Sequence, residues 1–236
     1  MKLNVFYRIS DAGNQKDKLP AADKKACLSN AIRVFGASHF YVLADNCSEA
    51  TIQMIRDSGL EPRISHLGNA GSFLAMAGWA IQTASEGDAI YFLEDDYLHF
   101  PDSPKVILDG LRRADYVSLY DHPDKYTEGV NPFVERSGEW GRILAGEFCH
   151  WKTSNSTTMS FALRYETLKQ DFPVWEEHCR NGYPDDFHAF LKLQSLGSWE
   201  NRILGSQRVL ISSLPSFATH TEMQWLAPLR NWQNLC

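Results

Sequence analysis

The sequence predicts an α/β fold with a mostly parallel central sheet flanked by helices, followed by a smaller second half. Three observations carry this. Apolar β-type runs alternate with helix-spaced segments over about the first hundred residues. The run Ile90-Tyr91-Phe92-Leu93 is apolar without alternation, as in a strand buried on both faces. It runs straight into Glu94-Asp95-Asp96, and open α/β sheets bind ligands at the C-terminal ends of their strands.

In chain order, Leu3 to Ile9 reads as the first strand, with Arg8 and Ser10 at its end. Asp11 to Asp23 is polar and holds Gly13 and Pro20, an exposed loop. Ala26 to Phe35 has helical spacing at Leu28, Ile32 and Phe35, with Gly36 as the stop. His39 to Ala44 is a second buried strand, ending in Asp45-Asn46-Cys47-Ser48. Ser48 can cap a helix from Glu49 to Ser58, with Gly59 following it. Pro62 to Leu67 is a short third strand, and Gly68-Asn69-Ala70-Gly71-Ser72 opens a helix reaching about Ser85. Gly87-Asp88 then turns into the central strand.

The second half is less regular. Pro104 to Arg113 reads as a helix and Tyr116 to Tyr120 as a strand. Asp121 to Glu139 is charged and broken by Pro123, Gly129, Pro132 and Gly138, a long loop that would serve as a mobile lid over a ligand. Glu147 to Lys152 and Thr157 to Leu163 read as strands, and Glu166 to Phe172 as a short helix. Pro184 begins another helix, with Asp185 and Asp186 in its first turn, where the helix dipole favours acids. Gln207 to Ile211 is a late strand, followed by a polar loop around Thr219-His220-Thr221.

A length of 236 residues suits one domain, 1–236, and the composition shift near residue 121 divides it into halves 1–120 and 121–236. A net charge of −6 argues against general nucleic-acid or anionic-membrane binding. The five cysteines, Cys27, Cys47, Cys149, Cys179 and Cys236, show no metal or redox spacing and fit a reducing, cytoplasmic setting. No signal peptide or membrane span is expected. Gly-x-Gly-x-x-Gly after the first strand and a Walker A lysine are both absent.

The acidic triplet is the strongest chemical signal. Adjacent carboxylates repel unless a cation or hydrogen-bond donors sit among them. A hard divalent ion that also holds phosphate oxygens would use such ligands. Asp45 ends the second strand, or serves as a turn and cap residue. Arg8 could reach a nucleotide or pair with an acid. His220 sits in a loop with no packing demand, while His122 and His150 are weaker candidates for substrate contact. Six of the seven tryptophans, all but Trp79, fall in the second half, where aromatic faces could pack on sugar rings.

Asp45-Asn46-Cys47-Ser48, Gly68-Asn69-Ala70-Gly71-Ser72 and Glu94-Asp95-Asp96 together resemble GT-A-fold glycosyltransferases, near family 2. The resemblance covers the first hundred residues or so, and the remainder only by landmarks. It implies a nucleotide-sugar donor, expected to be a UDP-sugar, and a divalent cation, Mn²⁺ or Mg²⁺, held by a DxD-type motif. By resemblance Asp96 and Glu94 would hold the metal with His220, and Arg8, Asp45, Asn69 and Asp95 would hold the donor. Asp186 or Asp185 would be the base of an inverting transfer, whereas a retaining transfer needs neither. The motif lacks the spacer of a strict DxD, which leaves Asp96 first and Asp95 second as the direct ligand. The acceptor would be a glycan or another hydroxyl-bearing molecule, with nucleic acid less favoured by the charge. Two alternatives stand beside this: a sugar-phosphate nucleotidyltransferase on a related fold, and a non-catalytic nucleotide or carbohydrate-binding protein.

Overall fold

The computed structural model describes residues 1–13 and 17–235. Part of the expected first loop, Asn14 to Lys16, and Cys236 lie outside the described residues. The first half follows the expected alternation: β1 (Leu3–Ser10), α1 (Lys24–Phe35), β2 (Phe40–Asp45), α2 (Glu49–Asp57), β3 (Arg63–Ser65), α3 (Gly68–Thr83) and β4 (Ala89–Glu94). Next come β5 (Tyr97–His99), α4 (Ser103–Leu111), β6 (Tyr116–Ser118) and a hairpin of β7 (Val134–Glu135) with β8 (Gly138–Glu139). The chain continues through β9 (Ile143–Ala145), β10 (His150–Thr153), β11 (Phe161–Arg164), α5 (Tyr165–His178), α6 (Asp186–Leu193), α7 (Trp199–Leu204), β12 (Leu210–Leu214) and β13 (Ala218–His220).

A nine-stranded sheet in the order β3-β2-β1-β4-β11-β6-β12-β10-β9 forms the middle layer. The strands β1 to β4 are mutually parallel, and only β10 and β11 run against the rest. Side chains alternate across the sheet, as the period-two pleat requires. On β1, Val5, Tyr7 and Ile9 pack in one core with Leu28 of α1 and Val106 and Ile107 of α4. Phe6 packs in the opposite core with Phe73 of α3, Trp175 of α5 and Phe190 of α6. The same alternation divides Tyr91 and Leu93 of β4 from Ile90 and Phe92. It therefore sends Arg8 and Glu94 to the α3 face, and the two are register partners on neighbouring strands. Because β1, β2 and β4 are parallel, Ser10, Asp45 and Glu94 all end at one rim.

Several elements depart from expectation. The helix α5 runs through Pro173 to His178, because Trp175 stacks on Phe161 at 5.1 Å and holds the second half of the helix to the core. The next helix starts later than expected. Asp185 is the N-cap, with its side chain accepting from His188 N–H, and Pro184 lies before it. The short elements α7, β9 and β13 have too few residues to show a period.

The segment 121–139 is not an open lid. Lys152 Nζ sits 2.7 Å from Asp121 Oδ1 and 3.1 Å from Glu139 Oε1, so one buried lysine ties both ends of the segment. Tyr126 donates to the other Asp121 oxygen at 2.6 Å. Among the described residues, no helix is long and apolar enough to cross a membrane.

Candidate functional site

A cleft of about 940 Å³ opens at the rim where β1, β2 and β4 end. It is lined by Arg8, Asp45, Asn69, Glu94, Asp95, Asp96, Asp186 and His220, whereas Asp185 and the weaker candidates His122 and His150 do not line it. No residue of 121–139 lines it. That segment instead borders a smaller groove of about 480 Å³ beside Trp140 and Arg142.

Arg8 organises one wall. Its guanidinium donates to Glu94 Oε1 at 2.7 Å, to the Asn69 carbonyl at 2.7 Å, to the Asn69 side-chain oxygen, and to Ser72 Oγ at 3.2 Å. Arg8, Asn69 and Glu94 thus form one cluster joining β1, α3 and β4. The Glu94 carboxylate is engaged by this cation.

Asp45 lies at the cleft wall and is buried. One of its oxygens accepts from Leu67 N–H at 2.7 Å and Ser65 Oγ at 2.8 Å. The other accepts from Gly68 N–H at 3.0 Å and Asn46 Nδ2 at 2.8 Å. An ionised carboxylate has about four acceptor positions, so these partners fill it. Its evident work is to fasten the start of α3, where Gly68 adopts φ +73° and accepts no side chain cheaply.

On the other side of the triplet, Asp95 accepts from Ser10 N–H at 3.1 Å and has Lys24 Nζ at 4.0 Å. Burial, together with the adjacent Asp96 charge, pushes its carboxyl up to about 6. Asp96 Oδ2 is 3.0 Å from His220 Nε2 and 3.6 Å from Lys18 Nζ. Pairing of β13 with β5 sets His220 opposite Tyr97 and so brings it beside Asp96.

Among the described residues, no group of three or more His, Cys, Asp or Glu side chains is arranged around a common metal position. Asp96 and His220 nevertheless suit a divalent ion as a pair of oxygen and nitrogen donors, with the remaining positions left to phosphate or water. Glu222 N–H donates to His220 Nδ1 at 3.2 Å, which sets the ring with Nε2 towards Asp96.

The two aspartates of α6 separate cleanly. Asp185 is exposed, caps the helix, and contacts His188 Nδ1 at 2.9 Å. Asp186 lines the cleft, and burial, with Glu94's charge adding, pushes its carboxyl up to about 7. Ala70 N–H donates to the Gly182 carbonyl at 3.2 Å, tying the approach to α6 to the start of α3.

Reasoning from sequence missed Lys18 and Lys24, which also line the cleft. A signal existed for one of them. Lys24 and Lys25 open α1, at the helix end whose dipole favours acids. Lys24 donates to the Ser10 carbonyl and to Asp11. Asp11 in turn accepts from Ser48 N–H at 2.8 Å and Thr51 Oγ1 at 2.8 Å at the start of α2. Burial works against it, but these donors hold the Asp11 carboxyl well below the usual range.

No protein-family model matches the chain, and no curated protein matches it. Solved structures do. The inositol-1-phosphate CTP transferase from T. maritima aligns at 13% identity over 98% of this chain and 93% of that one, with a TM-score of 0.48. A cytidylyltransferase from Leptospira borgpetersenii serovar Hardjo-bovis aligns at 10% identity over 72% of this chain, with a TM-score of 0.43, and the match spans 63% of that enzyme. Glucosyl-3-phosphoglycerate synthase from Mycobacterium tuberculosis, in complex with Mg²⁺ and UDP, aligns at 9% identity over 77% of this chain and 67% of that one, with a TM-score of 0.40.

Proposed function

We propose that the chain is a metal-dependent glycosyltransferase that moves a sugar from a nucleotide-sugar to an acceptor hydroxyl. The observation that carries this reading is the joint placement of Asp96 with His220, and of Asp186, in one cleft at the ends of parallel strands. Asp96 and His220 would hold the divalent cation, which when bound offsets charge on the departing nucleoside diphosphate. Lys24 lies on the same rim as a fixed positive charge. Arg8, Asn69 and Ser72 brace the wall, and Asp45 positions α3 without touching the donor itself.

Asp186 takes the role of base. A carboxylate whose proton affinity lies near neutrality is suited to accept the acceptor's hydroxyl proton. The acceptor oxygen then bonds to the anomeric carbon as the bond to the diphosphate oxygen breaks. The proton ends on Asp186 and the electron pair on the nucleoside diphosphate. In this reading residues 1–120 serve chiefly the donor and residues 121–236 the acceptor, with His220 crossing to the donor side.

A specific observation favours a second reading. Lys18 and Lys24, from the segment after β1, reach the cleft, where a nucleotidyltransferase would need cations for a triphosphate. One experiment separates the two. Nucleotide-sugars, with and without Mn²⁺, are screened for release of nucleoside diphosphate. In parallel, nucleoside triphosphates with sugar phosphates are screened for release of pyrophosphate. Metal-dependent release of nucleoside diphosphate supports the transferase reading, and pyrophosphate release alone replaces it with the second.

A further inference from the structure

We propose that Lys18 is a placeholder for the divalent cation at Asp96 and becomes a ligand of the diphosphate once that cation is bound. This rests on the nucleotide-sugar reading above and adds a residue that neither the acidic motif nor the resemblance assigns.

The backbone that carries Lys18 is fixed to the segment that carries His220. Leu19 N–H donates to the Thr221 carbonyl at 2.7 Å, and Met223 N–H to the Asp17 carbonyl at 2.9 Å. Lys18 and Glu222 form an isolated antiparallel bridge between them. Leu19 and Ala22 are buried in the core on either side of the following turn. Thr221 N–H in turn donates to the Asp96 carbonyl at 2.8 Å. The stem of Lys18 therefore starts at a set place beside the Asp96 carboxylate.

Its ammonium group is much less committed. Arg8 is consumed by Glu94, Asn69 and Ser72, and Lys24 by Asp11 and the Ser10 carbonyl. Lys18 makes no hydrogen bond among the described residues. Its approach to Asp96 Oδ2, at 3.6 Å, is an ion pair without a hydrogen bond. The side chain is 29% exposed and flexible enough to swing.

Charge decides where it goes. His220 and Lys18 approach the same Asp96 oxygen, so an ion held by Asp96 and His220 would lie beside the lysine, and two cations that close repel. The incoming diphosphate brings negative charge to the same place. A lysine displaced from Asp96 by the ion can then donate to a phosphate oxygen. Removing the lysine charge therefore has opposite effects on the two ligands: the metal alone gains, and the diphosphate loses. A lysine that only stabilised the loop would move both the same way.

The test uses the whole chain as wild type, Lys18→Met and Lys18→Arg, with thermal melts to verify folding. Binding of Mn²⁺ alone is followed by the electron paramagnetic resonance of the free ion. Binding of UDP, CDP and GDP, each at saturating Mn²⁺, is followed by calorimetry, and the tightest is compared across variants. For Lys18→Met, Mn²⁺ alone should bind several-fold tighter, while the diphosphate should bind about tenfold weaker, the size of one charge-assisted hydrogen bond. Lys18→Arg should keep the wild-type order. Unchanged constants, or both constants weakened together, in a protein whose wild type binds both ligands would overturn the role of Lys18 and leave the transferase reading standing. A wild type that binds neither Mn²⁺ nor any of the three diphosphates would overturn both.

Discussion

His220 Nε2 stands 3.0 Å from Asp96 Oδ2, although one residue ends the last strand and the other follows the fourth. If these two are the protein's metal donors, each is needed separately. Asp96→Asn and His220→Ala should each raise the Mn²⁺ concentration for half-maximal binding by at least about tenfold, since outer partners of metal ligands alone are worth about 10–100-fold. Glu94→Gln should change it far less, because Glu94 faces Arg8. Calorimetric Mn²⁺ titration checks this, and an equal effect at all three positions would return Glu94 to the metal set.

Arg8 and Glu94 predict a structural outcome. Both are largely withdrawn from water, with 8% and 26% of their side chains exposed. Arg8→Met leaves Glu94 without its cation and Asn69 without its donor. Urea unfolding should show a loss of about 1–3 kcal/mol. The double variant Arg8→Met with Glu94→Gln should recover part of that loss, because the stranded charge is gone.

Asp186 couples activity and stability in opposite senses. The base must be ionised, so kcat/KM should rise with pH through about 7 and then level. Asp186→Asn should lower kcat by about 10²–10⁴-fold with donor binding little changed. For stability the sign reverses. The folded-state affinity for the proton is raised above that of an ordinary aspartate near 3.8, so this group's stabilising contribution is present below that value and is lost as pH rises through about 7. Thermal melts should therefore show Asp186→Asn gaining on wild type between pH 4 and pH 8. Asp185→Asn should keep near-normal kcat, since that side chain caps the helix outside the cleft.

Asp45 is expected to act through α3. Asp45→Ala strands the Leu67 and Gly68 N–H groups and should cost on the order of 1–3 kcal/mol in urea unfolding. Where the variant is still folded, hydrogen exchange should quicken at the first turn of α3. A large loss of nucleotide affinity with unchanged stability would assign Asp45 to the ligand instead.

The first half was legible because its evidence is local. The buried run at Ile90 to Leu93, the Ser48 cap of α2 and the Gly59 stop, at φ +84°, are decided by residues within a turn of each other. Even the lysines that open α1 stand out locally, because they go against the helix dipole. Arg8 and Glu94 share one face only once β1 and β4 pair in register. What the sequence could not decide depends on chain segments far apart. Which of Asp185 and Asp186 faces the cleft depends on where α6 begins, and its approach is tied by Gly182 to α3. His220 meets Asp96 only because β13 pairs with β5, and Lys18 joins them only because residues 17–22 dock on that same segment. The charged stretch 121–139 reads as a loop from its own composition, yet Lys152 closes it from a strand downstream. Propensity and periodicity act over a few residues, whereas long-range pairing depends on which buried charges and strand edges find partners when the whole sheet assembles.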